Sequence, residues 1–106
     1  MTRLQHLLIK LAEECNELSK AAQKSALFGL DKGHPNGTTS NEDDMQREFN
    51  DILALISMLK DDNYLEKIHE NKKLIEIKKE KVEFYIKYAM DIGSINENTK
   101  KNIINK

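Results

Sequence analysis

The sequence predicts an all-α fold, a bundle of three main helices with a short C-terminal helix. Apolar residues recur at steps of three and four along much of the chain, which is the spacing of amphipathic helices. The composition agrees, because 33% of the residues are charged and there is a single proline and no tryptophan. With 106 residues, the chain has the size of one domain, spanning 1–106, and is too small for two independent cores.

The first predicted helix extends from Leu4 to about Leu27. Leucine, cysteine and alanine side chains form a continuous stripe along it. Cys15 lies in this stripe, so we expect a small buried side chain. As the chain's one cysteine, it excludes an internal disulfide. The following residues, 28–40, contain three glycines and one proline, which predicts a long loop.

The second predicted helix begins at Thr39, Ser40 or Asn41. Thr39 and Glu42 have the spacing of a capping box, and an acidic first turn suits the helix dipole. Between residues 49 and 59 the helix is apolar around most of its circumference. This pattern predicts the central element of a bundle, buried on several sides.

A third helix, rich in lysine and glutamate, is predicted after a short break at residues 61–63. Asn63 and Glu66 have the spacing of a second capping box, and Gly93 is the predicted C-terminal stop. The tail from Ser94 is expected to add the short terminal helix. Three helices of this length bury little apolar surface, so we expect homo-oligomerisation, as a homodimer or homotetramer, to complete the bundle.

Charge and hydropathy exclude some classes of function. Residues 1–62 hold eleven acidic against seven basic side chains, and residues 63–106 hold seven against ten. This near balance does not favour nucleic-acid binding. The apolar run 52–59 is too short to cross a bilayer, and the first residues lack a signal-peptide pattern. We therefore expect a cytoplasmic protein without a membrane partner.

Two acidic pairs lie within apolar helical sequence. Glu14 and Glu17 are three residues apart in the first helix, as are Glu48 and Asp51 in the second. Residues with this spacing share a helix face, so packing the two helices together can bring four carboxylates close to one another. Their mutual repulsion is tolerated when a cation neutralises them, and carboxylate oxygens suit Mg²⁺.

The order and context of these acids resemble a family signature. Glu13-Glu14-x-x-Glu17 is followed, after a helix-loop interval, by Glu48-x-x-Asp51 and an apolar run. Over about residues 4–59 this pattern resembles the MazG-like superfamily of all-α nucleoside triphosphate pyrophosphohydrolases. The resemblance implies hydrolysis of a nucleoside triphosphate between its α and β phosphates. It also implies that Glu14, Glu17, Glu48 and Asp51 bind the cofactor, Mg²⁺ or alternatively Mn²⁺.

Further side chains are candidates for water activation and substrate contact. Glu13 and Glu17 are the candidate catalytic carboxylates, and the sequence does not determine which one activates water. Lysines could bind phosphates and aromatic rings could contact the base, although each is also compatible with an ordinary surface or core role. The candidate substrate-binding residues are Lys24, Phe28, Lys78, Lys81 and Tyr85.

Two alternatives remain open at this point. Phosphoribosyl-ATP pyrophosphohydrolase belongs to the same superfamily and would share the metal ligands while differing in the pocket. A non-catalytic helical interaction module, in which the acids only solvate helix surfaces, belongs to a different class. It predicts neither magnesium binding nor pyrophosphate release.

Overall fold

The predicted all-helical fold is confirmed in the described part of the chain. The computed structural model describes residues 1–96, and within them it contains three α-helices and no strand. The helices are α1 (Arg3–Phe28), α2 (Asn41–Asp61) and α3 (Lys72–Asp91). The chain forms two compact units, Met1–Ile68 and His69–Lys106. Whether it is a single domain stays a prediction.

Helix α1 begins and ends at local signals in the sequence. Thr2 and Gln5 form a capping box, in which Gln5 N donates to Thr2 Oγ1 at 3.1 Å and Thr2 N to Gln5 Oε1 at 2.9 Å. At the other end, Gly29 has a φ of +106°, a conformation that side chains disfavour, and its N–H donates to the carbonyl of Ser25. The predicted helix, Leu4 to about Leu27, is confirmed to within one residue at each end.

Ser40 caps α2, one of the three predicted starting points. Asp43 N donates to Ser40 Oγ at 3.1 Å, and Ser40 N donates back to Asp43 Oδ2 at 2.9 Å. The backbone hydrogen bond from Ser40 lowers the pKa of Asp43, with a further contribution from the Ser40 side chain. The capping box predicted at Thr39 and Glu42 is therefore wrong by one residue.

Helices α1 and α2 pack against each other in antiparallel directions. At one end, Arg3 Nε donates to Asp62 Oδ2 at 2.6 Å. At the other end, the Asn41 amide nitrogen donates to the carbonyl of Gly29 at 2.9 Å. In the described part of the chain, the buried apolar side chains are Leu7, Ala21 and Leu59, of which Leu59 is fully buried.

The apolar surface of α2 is less buried than the sequence predicts. Phe49 is 50% exposed and Leu53 is 45% exposed, although α2 was expected to be enclosed on several sides. On α1, Leu8 and Ile9 are also nearly half exposed.

The third helix starts later than predicted. Asn63 has a φ of +63° and ends α2, because its left-handed conformation turns the chain and lets Tyr64 N donate to the Leu59 carbonyl at 2.9 Å. Helix α3 instead begins after Asn71, whose Oδ1 accepts from Leu74 N at 3.1 Å. The capping box predicted at Asn63 is thus wrong, and residues 62–71 form an irregular connection.

The predicted end of the third helix is confirmed. Helix α3 ends at Asp91, and Gly93 follows with a φ of +84°. Residues 94–96 are not helical, and the rest of the predicted C-terminal helix falls on residues 97–106, outside the described residues. None of the described helices combines the length and apolar character that a membrane span requires.

Candidate metal centre

Helices α1 and α2 bring three of the predicted carboxylates together. Glu14 of α1 faces Glu48 and Asp51 of α2, and one carboxylate oxygen from each lies within 4.8 Å of the other two. Glu14 and Glu48 are partly buried and Asp51 is exposed. We refer to Glu14, Glu48 and Asp51 as the acidic cluster. The cluster forms for two reasons. Glu48 and Asp51 lie about one turn apart on the same face of α2, and the packing of α1 against α2 places Glu14 next to that face.

The cluster perturbs the ionisation of Glu14. Partial desolvation of its carboxyl group raises its pKa most, and the negative charges of Asp51 and Glu48 raise it further. A hydrogen bond to Glu48 acts in the same direction, whereas the positive charge of Lys10 opposes them. Without a cation, loss of the Glu14 proton is therefore less favourable than for an isolated glutamate.

The ligand atoms of the cluster fit a hard divalent cation. Mg²⁺ and Mn²⁺ are bound by oxygen ligands, and Mg²⁺ commonly keeps water and substrate phosphates beside a few carboxylates. Arg47 is the nearest positive group on α2, with Nη2 3.1 Å from Asp44 Oδ1 and 3.8 Å from Glu48 Oε1. This arginine offsets part of the charge of Glu48 and leaves the cluster as a whole acidic.

The other two predicted acids of α1 lie outside the cluster. Glu17 Oε1 accepts from Lys20 Nζ at 3.4 Å, and Glu13 Oε2 accepts from Lys10 Nζ at 3.1 Å. Both carboxylates are about half exposed. Glu17 is three residues from Glu14 and so about 60° away around the helix, which places it beside the contact with α2. Its role as a fourth ligand stays a prediction.

Cys15 is exposed, so the prediction of a buried side chain is wrong. It follows the buried Leu7 by eight residues, which places it about 80° around the helix from that side chain. Within α1 the buried positions are Leu7 and Ala21, which face α2. Because α2 covers only a narrow strip of α1, the edge of the apolar stripe stays exposed.

Lys24 and Phe28 lie far from the acidic cluster along α1. Lys24 follows Glu14 by ten residues, which is about 15 Å along the helix axis. Both side chains line a pocket between the end of α1 and the connecting segment 29–40. The structure therefore does not bring Lys24 and Phe28 to the carboxylates, as their prediction as substrate-binding residues requires.

Lys78, Lys81 and Tyr85 belong to α3, in the second compact unit. There they line a shallow groove of about 390 Å³. The apolar side chains of the same groove are Val82, Ile86 and Ile95. Their assignment as substrate-binding residues stays a prediction.

An apolar pocket beside the acidic cluster was not predicted from the sequence. A pocket of about 520 Å³ is lined by Leu18, Met45, Gln46 and Phe49, together with Leu30, Glu42 and Asp43. Leu18 lies one turn after Glu14 and Met45 almost one turn before Glu48, so the pocket adjoins the cluster. The four-residue spacing of Glu14 and Leu18 indicates that the two side chains share a helix face, but this spacing is common to many amphipathic helices and does not predict a pocket.

Comparisons with protein-family models, with curated proteins and with solved structures find no match to this chain.

Proposed function

We propose that the chain is a magnesium-dependent nucleoside triphosphate pyrophosphohydrolase. It hydrolyses a ribo- or deoxyribonucleoside triphosphate between the α and β phosphates and releases the monophosphate and pyrophosphate. The observation that carries the proposal is the convergence of Glu14, Glu48 and Asp51 from two helices. These acids also belong to the sequence pattern that resembles the MazG-like superfamily.

The acidic cluster is the proposed metal site. Glu14, Glu48 and Asp51 would hold Mg²⁺, with Mn²⁺ as the alternative, and Glu17 is a further ligand on the resemblance alone. The bound ion would neutralise charge on the phosphates and polarise the phosphoryl oxygens. The raised pKa of Glu14 supports this assignment, because a bound cation stabilises a carboxylate that desolvation and the charges of Asp51 and Glu48 disfavour.

Residues of α1 next to the cluster would activate the attacking water. Glu13 and Glu17 are half exposed and lie beside Glu14 in sequence, so either could accept a proton from water. The water oxygen forms a bond to the α phosphorus, the bond from that phosphorus to the bridging oxygen breaks, and the electron pair leaves with pyrophosphate.

The pocket beside the cluster would accept the nucleoside. Phe49 is half exposed there and offers an aromatic face, and Gln46 offers an amide that can both donate and accept hydrogen bonds. The pocket volume of about 520 Å³ falls within the usual range for small-molecule sites. This position beside the carboxylates supports a nucleotide substrate over a simple phosphate ester.

Homo-oligomerisation is part of the proposal. Leu8, Ile9 and Leu53 are each between 43% and 46% exposed, and a second copy could cover these apolar side chains. A cytoplasmic homodimer or homotetramer is the proposed form. Sedimentation velocity checks this point, since a species that stays monomeric at all accessible concentrations contradicts it.

The deciding experiment is a pyrophosphate-release screen over the common ribo- and deoxyribonucleoside triphosphates, with Mg²⁺ and with EDTA. We expect pyrophosphate to be released only when the metal is present, without release of free phosphate. Glu48→Gln and Asp51→Asn should lose this activity. Asp61→Asn is the matched control, because Asp61 is also an exposed aspartate of α2 but lies ten residues from Asp51.

Adding phosphoribosyl-ATP to the screen distinguishes the proposed function from that of a phosphoribosyl-ATP pyrophosphohydrolase. The latter would cleave phosphoribosyl-ATP in preference to the triphosphates. If no substrate gives pyrophosphate at any metal concentration, the enzyme proposal is wrong and the helical interaction module becomes the better explanation.

A further inference from the structure

A second pocket lies where the end of α1 meets the segment that connects it to α2. It has a volume of about 460 Å³, within the usual range for small-molecule sites. We refer to it as the loop pocket. Its lining residues are Lys24, Phe28, Lys32, Gly33, His34, Pro35 and Asn41.

Backbone and side-chain hydrogen bonds hold the shape of the loop pocket. The Asn41 side chain donates to the Gly29 carbonyl, its backbone N–H donates to the Lys32 carbonyl, and Glu42 N donates to the Leu30 carbonyl at 3.0 Å. A Cβ at residue 33 would overlap the carbonyl oxygen of Thr39, so the segment packs closely against itself at Gly33. The pocket is therefore formed before any ligand arrives.

The lining combines positive charge with an aromatic face. Lys24 and Phe28 are four residues apart on α1 and so lie on one face of the helix. Phe28 is 67% exposed, which is a large apolar surface to leave in water. Lys24 forms no ion pair with any described residue, and Lys32 is only loosely paired, with Nζ 3.8 Å from Asp31 Oδ2. His34 adds an imidazole that can donate a hydrogen bond.

We propose that the loop pocket binds a nucleotide independently of the acidic cluster. The base stacks on Phe28, and the phosphates are bound by Lys24 and Lys32. The distance of about 15 Å along α1 between Glu14 and Lys24 separates this pocket from the proposed metal site. The loop pocket is therefore a second nucleotide site that requires no divalent cation.

Calorimetric titration in EDTA tests the chemistry of the pocket. The probes are ATP, adenosine and inorganic tripolyphosphate. We expect ATP to bind and each fragment to bind at least about tenfold more weakly, since stacking and phosphate contacts both contribute. Absence of ATP binding overturns the proposal. Equal binding of tripolyphosphate or of adenosine also overturns it, because the pocket would then recognise only one half of a nucleotide.

Variants assign the binding to the pocket. We expect Lys24→Gln and Phe28→Leu each to weaken ATP binding in EDTA by about tenfold. Lys20→Gln, on the same helix and one turn earlier, removes the same charge outside the pocket, and Leu27→Ala removes an exposed apolar side chain beside Phe28. Both controls should bind ATP normally. Equal losses in Lys20→Gln and Lys24→Gln would contradict the assignment.

Asp51→Asn separates this proposal from the proposed hydrolase activity. We expect the variant to bind ATP in EDTA as the unmodified chain does, whether or not the chain hydrolyses triphosphates. If Asp51→Asn instead strengthens this binding severalfold, the nucleotide lies beside the acidic cluster, whose negative charge repels its phosphates, and the loop pocket is not its site. Far-ultraviolet circular dichroism and melting temperatures confirm that each variant is folded.

Discussion

The amide nitrogen of Asn41 donates to the carbonyl oxygen of Gly29 at 2.9 Å and joins the start of α2 to the end of α1. Asn41 is 6% exposed, the one buried polar residue among those described. Gly29 N donates to the Ser25 carbonyl, so one glycine takes part in both the end of α1 and the contact with α2. Through this pair, the 29–40 segment holds the two helices that carry the acidic cluster.

Removing the Asn41 amide should destabilise the helix pair. We expect Asn41→Ala to lower the free energy of unfolding by about 1 to 3 kcal/mol, because a partly buried carbonyl loses its donor. Asn50→Ala is the control, since the exposed Asn50 bonds only to the Gln46 carbonyl within α2. Its change should stay within about 0.5 kcal/mol. Urea unfolding measures both, and equal effects would contradict a special role for Asn41.

Binding of Mg²⁺ should stabilise the chain through the acidic cluster. At a Mg²⁺ concentration about 100 times the Kd, the expected gain is about 2.7 kcal/mol, visible as a rise in melting temperature. Asp51→Asn should abolish most of this rise, whereas Asp61→Asn should retain it. A rise of the same size in both variants would show that Mg²⁺ acts away from the cluster.

The contributions of Glu14 and Glu17 to metal binding should differ. Glu14 lies in the cluster and Glu17 is paired with Lys20, so Glu14→Gln should weaken Mg²⁺ binding by roughly tenfold or more. Glu17→Gln should weaken it by less than about threefold, because Glu17 would have to leave its ion pair with Lys20 to reach the metal ion. If Glu17 accepts the proton, kcat should still fall in Glu17→Gln. Equal losses of affinity would make Glu17 a full ligand.

The stability of the metal-free chain should fall as pH rises through the raised pKa of Glu14. The folded state holds the Glu14 proton more tightly than the unfolded state, whose pKa is near 4.5, so folding is favoured while the group is protonated in both states. That contribution is lost at higher pH. In EDTA, the melting temperature of Glu14→Gln should therefore rise relative to that of the unmodified chain between acidic and neutral pH.

Added Mg²⁺ should reverse this trend in the unmodified chain, since the cation favours the ionised carboxylate. Glu14→Gln serves as the control in the same buffers. If the melting temperatures of Glu14→Gln and of the unmodified chain change in parallel across the pH range, the pKa of Glu14 is not raised.

Local patterns in the sequence predicted most of the helical structure. The bounds of α1 follow from its apolar stripe and from Gly29, and Gly93 correctly marks the end of α3. The start of α3 was missed because two local signals compete at Asn63. The same residue can cap a new helix or end the previous one in a left-handed conformation, and only the second is compatible with the hydrogen bond from Tyr64 N to the Leu59 carbonyl.

The sequence by itself determined the helical class and the two acidic pairs, because helix periodicity depends on neighbouring residues alone. It could not determine which acids meet, since this depends on which side of α1 contacts α2. The antiparallel packing turns Glu14 toward Glu48 and Asp51 and leaves Glu17 about 60° away with Lys20. The tertiary structure also decided the two pockets, because each combines side chains that come together only when the 29–40 segment holds α1 against α2.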